Sequence, residues 1–159
     1  MGRHATDSPP AGNPGDRRLP PLLRRAWYGL NQAFRRRIAH LEITPDQYTA
    51  LRNLFEAGPR GLTQSELTEQ MSSDPNTIAS LVERMESAGL LRRETDPADR
   101  RARRLRIALT GRRRFQLALT VAHELQDEVL ESLDAEERQH FLAILDKLSD
   151  ACRRAAERT

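Results

Sequence analysis

The chain has 159 residues, with 26 Lys and Arg against 23 Asp and Glu for a net charge of +3. That length fits one domain-sized protomer with a real core, and 4% aromatic with 31% charged residues suits a helical protein with long polar faces. No apolar run approaches the roughly 18 residues of a membrane span, the N-terminus lacks the apolar stretch of a secretory signal, and the lone Cys152 allows no internal disulfide, which points to the cytoplasm.

Residues 1–16, MGRHATDSPPAGNPGD, carry Pro and Gly without periodicity and are expected to be a disordered tail. Leu19, Leu22, Leu23, Ala26, Trp27, Leu30, Phe34, Ile38 and Leu41 then recur at helical spacing and predict one long amphipathic helix. Such a helix alone also fits a membrane surface. A core helix of a dimer is preferred, because the later helices need partners. Thr44, Pro45 and Gln47 open a second helix, with Tyr48, Leu51, Leu54 and Phe55 inside and Gly58, Pro59 and Gly61 beyond its end.

Thr63 and Glu66 form a capping box for a short third helix with Leu67 and Met71 on its buried side. Ser72 and Ser73 break it. Asp74 caps a fourth helix with Pro75 at its first position. Ile78, Leu81, Val82 and Met85 make its apolar stripe, and Gly89 supplies a left-handed stop. Asn76, Thr77, Ser80 and Arg84 fall off that stripe and point outward. A helix-turn-helix places the N-terminal residues of its second helix on base edges in the major groove. Small polar residues suit that task, Asn for adenine and Ser or Thr for either sense of hydrogen bond. Taken alone, the two helices read better as an ordinary helical hairpin with a solvated polar face.

The next stretch changes that. Leu90 to Glu94 and Arg103 to Leu109 read as paired strands around a loop at 96–101. Ten arginines lie between Arg92 and Arg114, against Glu94, Asp96 and Asp99, which leaves +7 there and −4 on the rest of the chain. Lys147 is the only lysine, so any single arginine is generic; their concentration on one hairpin is the signal of a phosphate binder. Arg104 and Arg106 share one strand face and Arg103 the other. Thr110 and Gly111 open a long helix with Phe115, Ala118, Leu119, Ala122, Leu125, Val129 and Leu130 on its stripe. Asp134 and Glu137 cap a last helix carrying Phe141, Leu145, Leu148 and Cys152. The terminal helices are too apolar along one stripe to stand alone, and a two-fold helical interface would bury them.

The motifs "LTQSELTEQM", "DPNTIASLVERMESAGLLRR" and "DPADRRARRLRIALT" resemble those of the MarR family of bacterial transcription regulators, over about residues 20 to 155. The resemblance implies an all-α fold with a small β-wing: a winged helix-turn-helix head at 44–110 on a helical dimerisation domain at 17–41 and 111–157, intertwined as a homodimer. It implies a cytoplasmic, ligand-responsive repressor that binds a palindromic double-stranded DNA operator. The expected DNA contacts are Thr63 and Gln64 of the third helix, Asp74, Asn76, Thr77, Ser80 and Arg84 of the fourth, and Asp99, Arg100, Arg101, Arg103 and Arg104 of the wing. Asp99 and Arg101 match the family's wing pair, in which the acid braces a minor-groove arginine. Ser80 departs from the family, many members of which carry an arginine there. Family members commonly sense phenolic or aromatic acids beside the dimer helices; Trp27, Tyr28, Asn31, Tyr48 and Arg52 are the candidates. Cys152 does not match the N-terminal sensor cysteine of the peroxide-responsive branch.

His4, His40, His123 and His140 are scattered, with no metal-ligand spacing, and no phosphate-binding Gly motif occurs. No enzyme activity, metal or cofactor is therefore expected. The alternative reading is a winged-helix protein-interaction module without sequence-specific DNA binding.

Overall fold

The computed structural model describes residues 18–96 and 103–158. The tail at 1–16 and the wing residues Asp99, Arg100 and Arg101 lie outside them. In chain order come α1 (Leu19–Ile38), a 3-10 turn (Ala39–Leu41), α2 (Pro45–Glu56), a second 3-10 turn (Gly58–Arg60), α3 (Gln64–Gln70), α4 (Pro75–Ser87), β1 (Leu91–Thr95), β2 (Arg103–Ile107), α5 (Leu109–Val129) and α6 (Ala135–Ala156).

Local signals start these helices. Thr44 with Gln47, Thr63 with Glu66 and Asp134 with Glu137 each form a complete capping box. Asp74 accepts from the backbone N–H groups of Asn76 at 3.1 Å and Thr77 at 2.9 Å. α4 ends at Gly89, φ 67°, where Gly89 N–H donates to Glu86 and Leu90 N–H to Met85, a Schellman closure.

Several boundaries differ from the sequence reading: β1 runs Leu91–Thr95 where the sequence predicts Leu90 to Glu94, and α5 opens at Leu109, one residue before Thr110. The first helix stops at Ile38 and tightens into the 3-10 turn, because Glu42 after it takes a left-handed conformation, φ 54° and ψ 38°. Glu42 is held there by Arg114, which donates to its carbonyl at 3.1 Å and its carboxylate at 2.6 Å. The second strand ends at Ile107, because Ala108 is already the extended N-cap of α5. Ala108 N–H donates to Leu90 O at 3.0 Å, which ties the start of α5 to the end of α4.

β1 and β2 pair antiparallel, with Leu91 opposite Ile107, Arg93 opposite Leu105 and Thr95 opposite Arg103. Leu62 adds a one-residue antiparallel bridge to Leu105. The core gathers Ile38, Leu51, Leu54, Leu67, Ile78, Val82, Met85, Leu90, Leu105 and Phe115. Phe115 of α5 faces Tyr48 at 5.6 Å and Phe55 at 4.9 Å, so one ring joins α5 to two turns of α2. Phe34 of α1 meets Tyr48 edge-on at 4.9 Å. The N-terminal half of α1 and all of α6 leave apolar side chains exposed, among them Trp27, Phe141 and Ile144, and α5 adds Leu117. No described residue of α6 is buried, and Cys152 is exposed.

Candidate nucleic-acid interface

α3 and α4 form the helix pair, and the hairpin begins directly after α4. The buried stripe of α4 fixes its rotation: Ile78, Leu81, Val82 and Met85 point inward. Asn76, Ser80 and Arg84, each four residues on, are therefore left together on an exposed row. Thr77 and Asp74 are also exposed but engage each other, with the Thr77 hydroxyl donating to Asp74 at 2.5 Å. That bond, with the two backbone donors, holds the Asp74 carboxyl below its ordinary range. Asp74 is thus first a cap, and the Thr77 hydroxyl, its hydrogen bond donated to Asp74, keeps acceptor lone pairs for an amino group. A cleft of about 180 Å³ runs along this side, lined in part by Ser73, Thr77, Leu81 and Arg84.

Thr63 and Gln64 sit half-buried at the start of α3. Glu66 closes the Thr63 cap and also ion-pairs with Arg60 and with Arg104. Its carboxyl is pulled below the ordinary value mainly by the Thr63 backbone N–H.

Of the ten arginines from Arg92 to Arg114, the last three fall in α5 and not in the hairpin, and those among the described residues prove to be largely engaged. Arg92 and Arg106 both meet Glu94, at 2.6 and 3.0 Å. Arg93 lies 3.5 Å from Glu86. Arg114 holds Glu42, and Arg112 lies over the Phe55 ring. Arg104 donates to Asp96 at 2.5 Å and reaches Glu66 at 3.3 Å; its side chain is only 19% exposed. Arg103 is exposed and has no ion pair among the described residues. Counting charges along the sequence misses this pairing, because Glu66, Glu86 and Glu42 come from outside the hairpin. The long-range Glu66–Arg104 pair leaves no local signal; only the cap made by Glu66 is visible.

The five effector candidates divide into two groups. Tyr48 is half-buried at the junction of α1, α2 and α5, and burial, partly offset by Arg52, raises its pKa. Arg52 lies one turn on, 3.5 Å from Glu56. Trp27 and Tyr28 are 64% and 65% exposed on α1, with Tyr28 accepting from Gln32 at 2.6 Å. Asn31, on α1, is half-buried. No hydrogen bond, ion pair or ring contact among the described residues joins Trp27 or Tyr28 to Tyr48 or Arg52. A cleft of about 560 Å³ opens elsewhere, lined by Asn53, Glu56, Ala57, Arg60, Leu62 and Gln70. None of the five candidates lines either cleft.

Among the described residues, no helix is long and apolar enough to cross a membrane. The model of the MarR family matches residues 43–102. Transcriptional regulator HosA of Escherichia coli O111:H- is 31% identical over 82% of this chain and 98% of its own length. BpsR of Bordetella bronchiseptica, whose DNA binding is regulated by 6-hydroxynicotinic acid, superposes with a TM-score of 0.76 at 26% identity, over 84% of this chain and 94% of that one. The transcriptional repressor CouR, solved on a 23-mer DNA duplex, superposes with a TM-score of 0.75 at 26% identity, over 83% and 92%. With its helix pair, antiparallel wing strands and near-complete coverage of HosA, the chain belongs to the MarR family of winged helix-turn-helix transcription regulators.

Proposed function

We propose that this protein is a repressor that binds a palindromic DNA operator as a homodimer and lets go when a small aromatic acid binds. The observation that carries the DNA reading is the exposed row Asn76, Ser80 and Arg84 on α4, beside a hairpin whose Arg103 is unpaired among the described residues. The row offers hydrogen bonds to base edges, and the arginines at 100, 101 and 103 offer charge to phosphates and to the minor groove. Ser80 reads through a shorter side chain than an arginine, so Arg84 one turn on carries the longer reach.

Dimerisation is supported by the apolar surface left on α1, α5 and α6. Two heads must stand about 34–36 Å apart to enter successive major grooves. Titration of duplex DNA at two salt concentrations tests the reading. Each phosphate neutralised adds roughly −0.9 to the log–log slope of affinity against salt. A protein-interaction module predicts a flat dependence, and the many arginine–carboxylate pairs of the hairpin are what keep that second reading in play.

An aromatic acid is supported by BpsR; of the candidate residues, Tyr48, half-buried beside the rings of α1 and α5, and Arg52 one turn on are the part that the fold keeps together. A ligand there shifts DNA affinity only through a preference for one head spacing. The expected coupling is roughly 5- to 150-fold, and reciprocal. Quenching of Trp27, the only tryptophan, reports binding. A bound acid whose affinity is indifferent to saturating DNA refutes the coupling.

A further inference from the structure

By charge alone, Arg104 would meet phosphate with the rest of the hairpin. Its surroundings argue otherwise. Its Nε donates to Asp96 Oδ2 at 2.5 Å, where β1 ends, and its Nη1 lies 3.3 Å from Glu66 Oε2. That Glu66 oxygen also accepts from Thr63 N–H at 2.7 Å, and the other takes Arg60. One carboxylate therefore joins the cap of α3, the turn before it and the hairpin. The cross-strand neighbour of Arg104 is Glu94, yet Glu94 serves Arg92 and Arg106 instead. Arg104 is thus left to reach across to α3. Its planar fork suits two carboxylates at once.

We propose that Arg104 is a positioning residue that clamps the hairpin to the start of α3 and fixes the angle between the two reading surfaces. The proposal rests on the DNA-binding reading given above. Charge alone makes Asp96 and Glu66 unfavourable so near a phosphate backbone. Geometry accounts for them: they spend the donors of Arg104 on holding the hairpin. Arg103, one residue earlier on the opposite strand face, is exposed and free of ion pairs among the described residues.

The test uses the full chain and a duplex that the wild-type protein selects from a random pool. If no duplex is selected, or affinity is insensitive to salt, the DNA-binding reading itself fails. With a steep wild-type slope in hand, Arg103→Gln is expected to flatten it by about 0.9 for each head. Arg104→Gln is expected to weaken binding roughly three- to tenfold, the scale of a charged hydrogen bond partly screened by water, with the slope unchanged. Arg104→Lys keeps the charge and loses the fork, and is expected to behave likewise. Glu66→Gln keeps a capping side chain and makes the protein more positive, yet is expected to weaken binding too. A slope flattened by Arg104→Gln as much as by Arg103→Gln overturns the proposal. So does wild-type affinity in Arg104→Lys, or tighter binding in Glu66→Gln. Thermal melts accompany each variant, and the Arg104→Lys and Glu66→Gln proteins decide the matter if Arg104→Gln does not fold.

Discussion

Replacing Gly111 by alanine sets two opposing effects against each other. In an exposed helix, Gly→Ala stabilises by about 0.5–1 kcal/mol, since alanine restricts the unfolded chain. Here an added methyl would lie 2.0 Å from Leu90 O and 2.9 Å from Leu51 Cδ2. Leu51 can turn aside; the Leu90 carbonyl cannot. An ordinary contact needs more than 3 Å, so helix and carbonyl must part by about 1 Å, and overpacking of that kind costs roughly 1–3 kcal/mol. The same carbonyl accepts the Ala108 N–H at 3.0 Å. Its displacement weakens that bond, for about 1 kcal/mol more. The net expectation is a loss of roughly 1–3 kcal/mol after the alanine gain is subtracted. Urea unfolding followed by far-ultraviolet circular dichroism at fixed protein concentration measures it. An unchanged or raised midpoint refutes the packing argument.

Three further outcomes are expected. Arg101→Ala is expected to weaken operator binding by roughly 1–3 kcal/mol per head while the melting temperature holds, and wild-type affinity removes the wing assignment. Sedimentation should give twice 18.1 kDa at micromolar concentration, and Phe141→Glu with Ile144→Glu, both exposed on α6, should give the monomer; a wild-type monomer sinks the dimer reading. The caps of α3 and α4 contribute to the acid limb of stability. Hydrogen bonds to their charged forms hold Glu66 and Asp74 below ordinary values of 4.5 and 3.8, so their contribution is complete above those values and is lost as pH falls below them, through the lowered values of the folded state. Asp74→Asn, still a cap, should make unfolding midpoints less steep in pH there, and identical slopes refute the assignment.

What is legible in the sequence is local. Asp74–Pro75, the stripe at 78, 81, 82 and 85 and the stop at Gly89 are each written within one or two helical turns. The hairpin also shows through its alternation, although Ala108 cuts its second strand short by taking the cap of α5. The Leu62 bridge to Leu105 joins residues far apart in sequence, at a single position with no period to betray it. The pairing of Arg104 with Glu66 is equally non-local, and it changes the meaning of the +7 count from a charge store to a partly neutralised frame. The turn at Ala39–Leu41 is hidden because Leu41 keeps the helical spacing while Glu42 turns the backbone. Tyr48 and Arg52 read as one cluster with Trp27 and Tyr28; the shared face of α2 is visible in the spacing, and the separation along α1 is not.

Glu42 gives the connection between α1 and α2 an unusual mechanical character. A β-carbon in the left-handed region costs roughly 1–2 kcal/mol. A glycine would sit there freely and let the connection swivel. Glu42 instead admits few backbone states, and Arg114, from α5, grips both its carbonyl and its carboxylate. The link is therefore an elbow locked from a third helix. Beside that link, the rings of Phe34, Tyr48 and Phe115 join α1, α2 and α5 in one packed row. A glycine at position 42 would give up the carboxylate contact with Arg114, leaving the carbonyl alone as the direct tie from this link to Arg114 of α5.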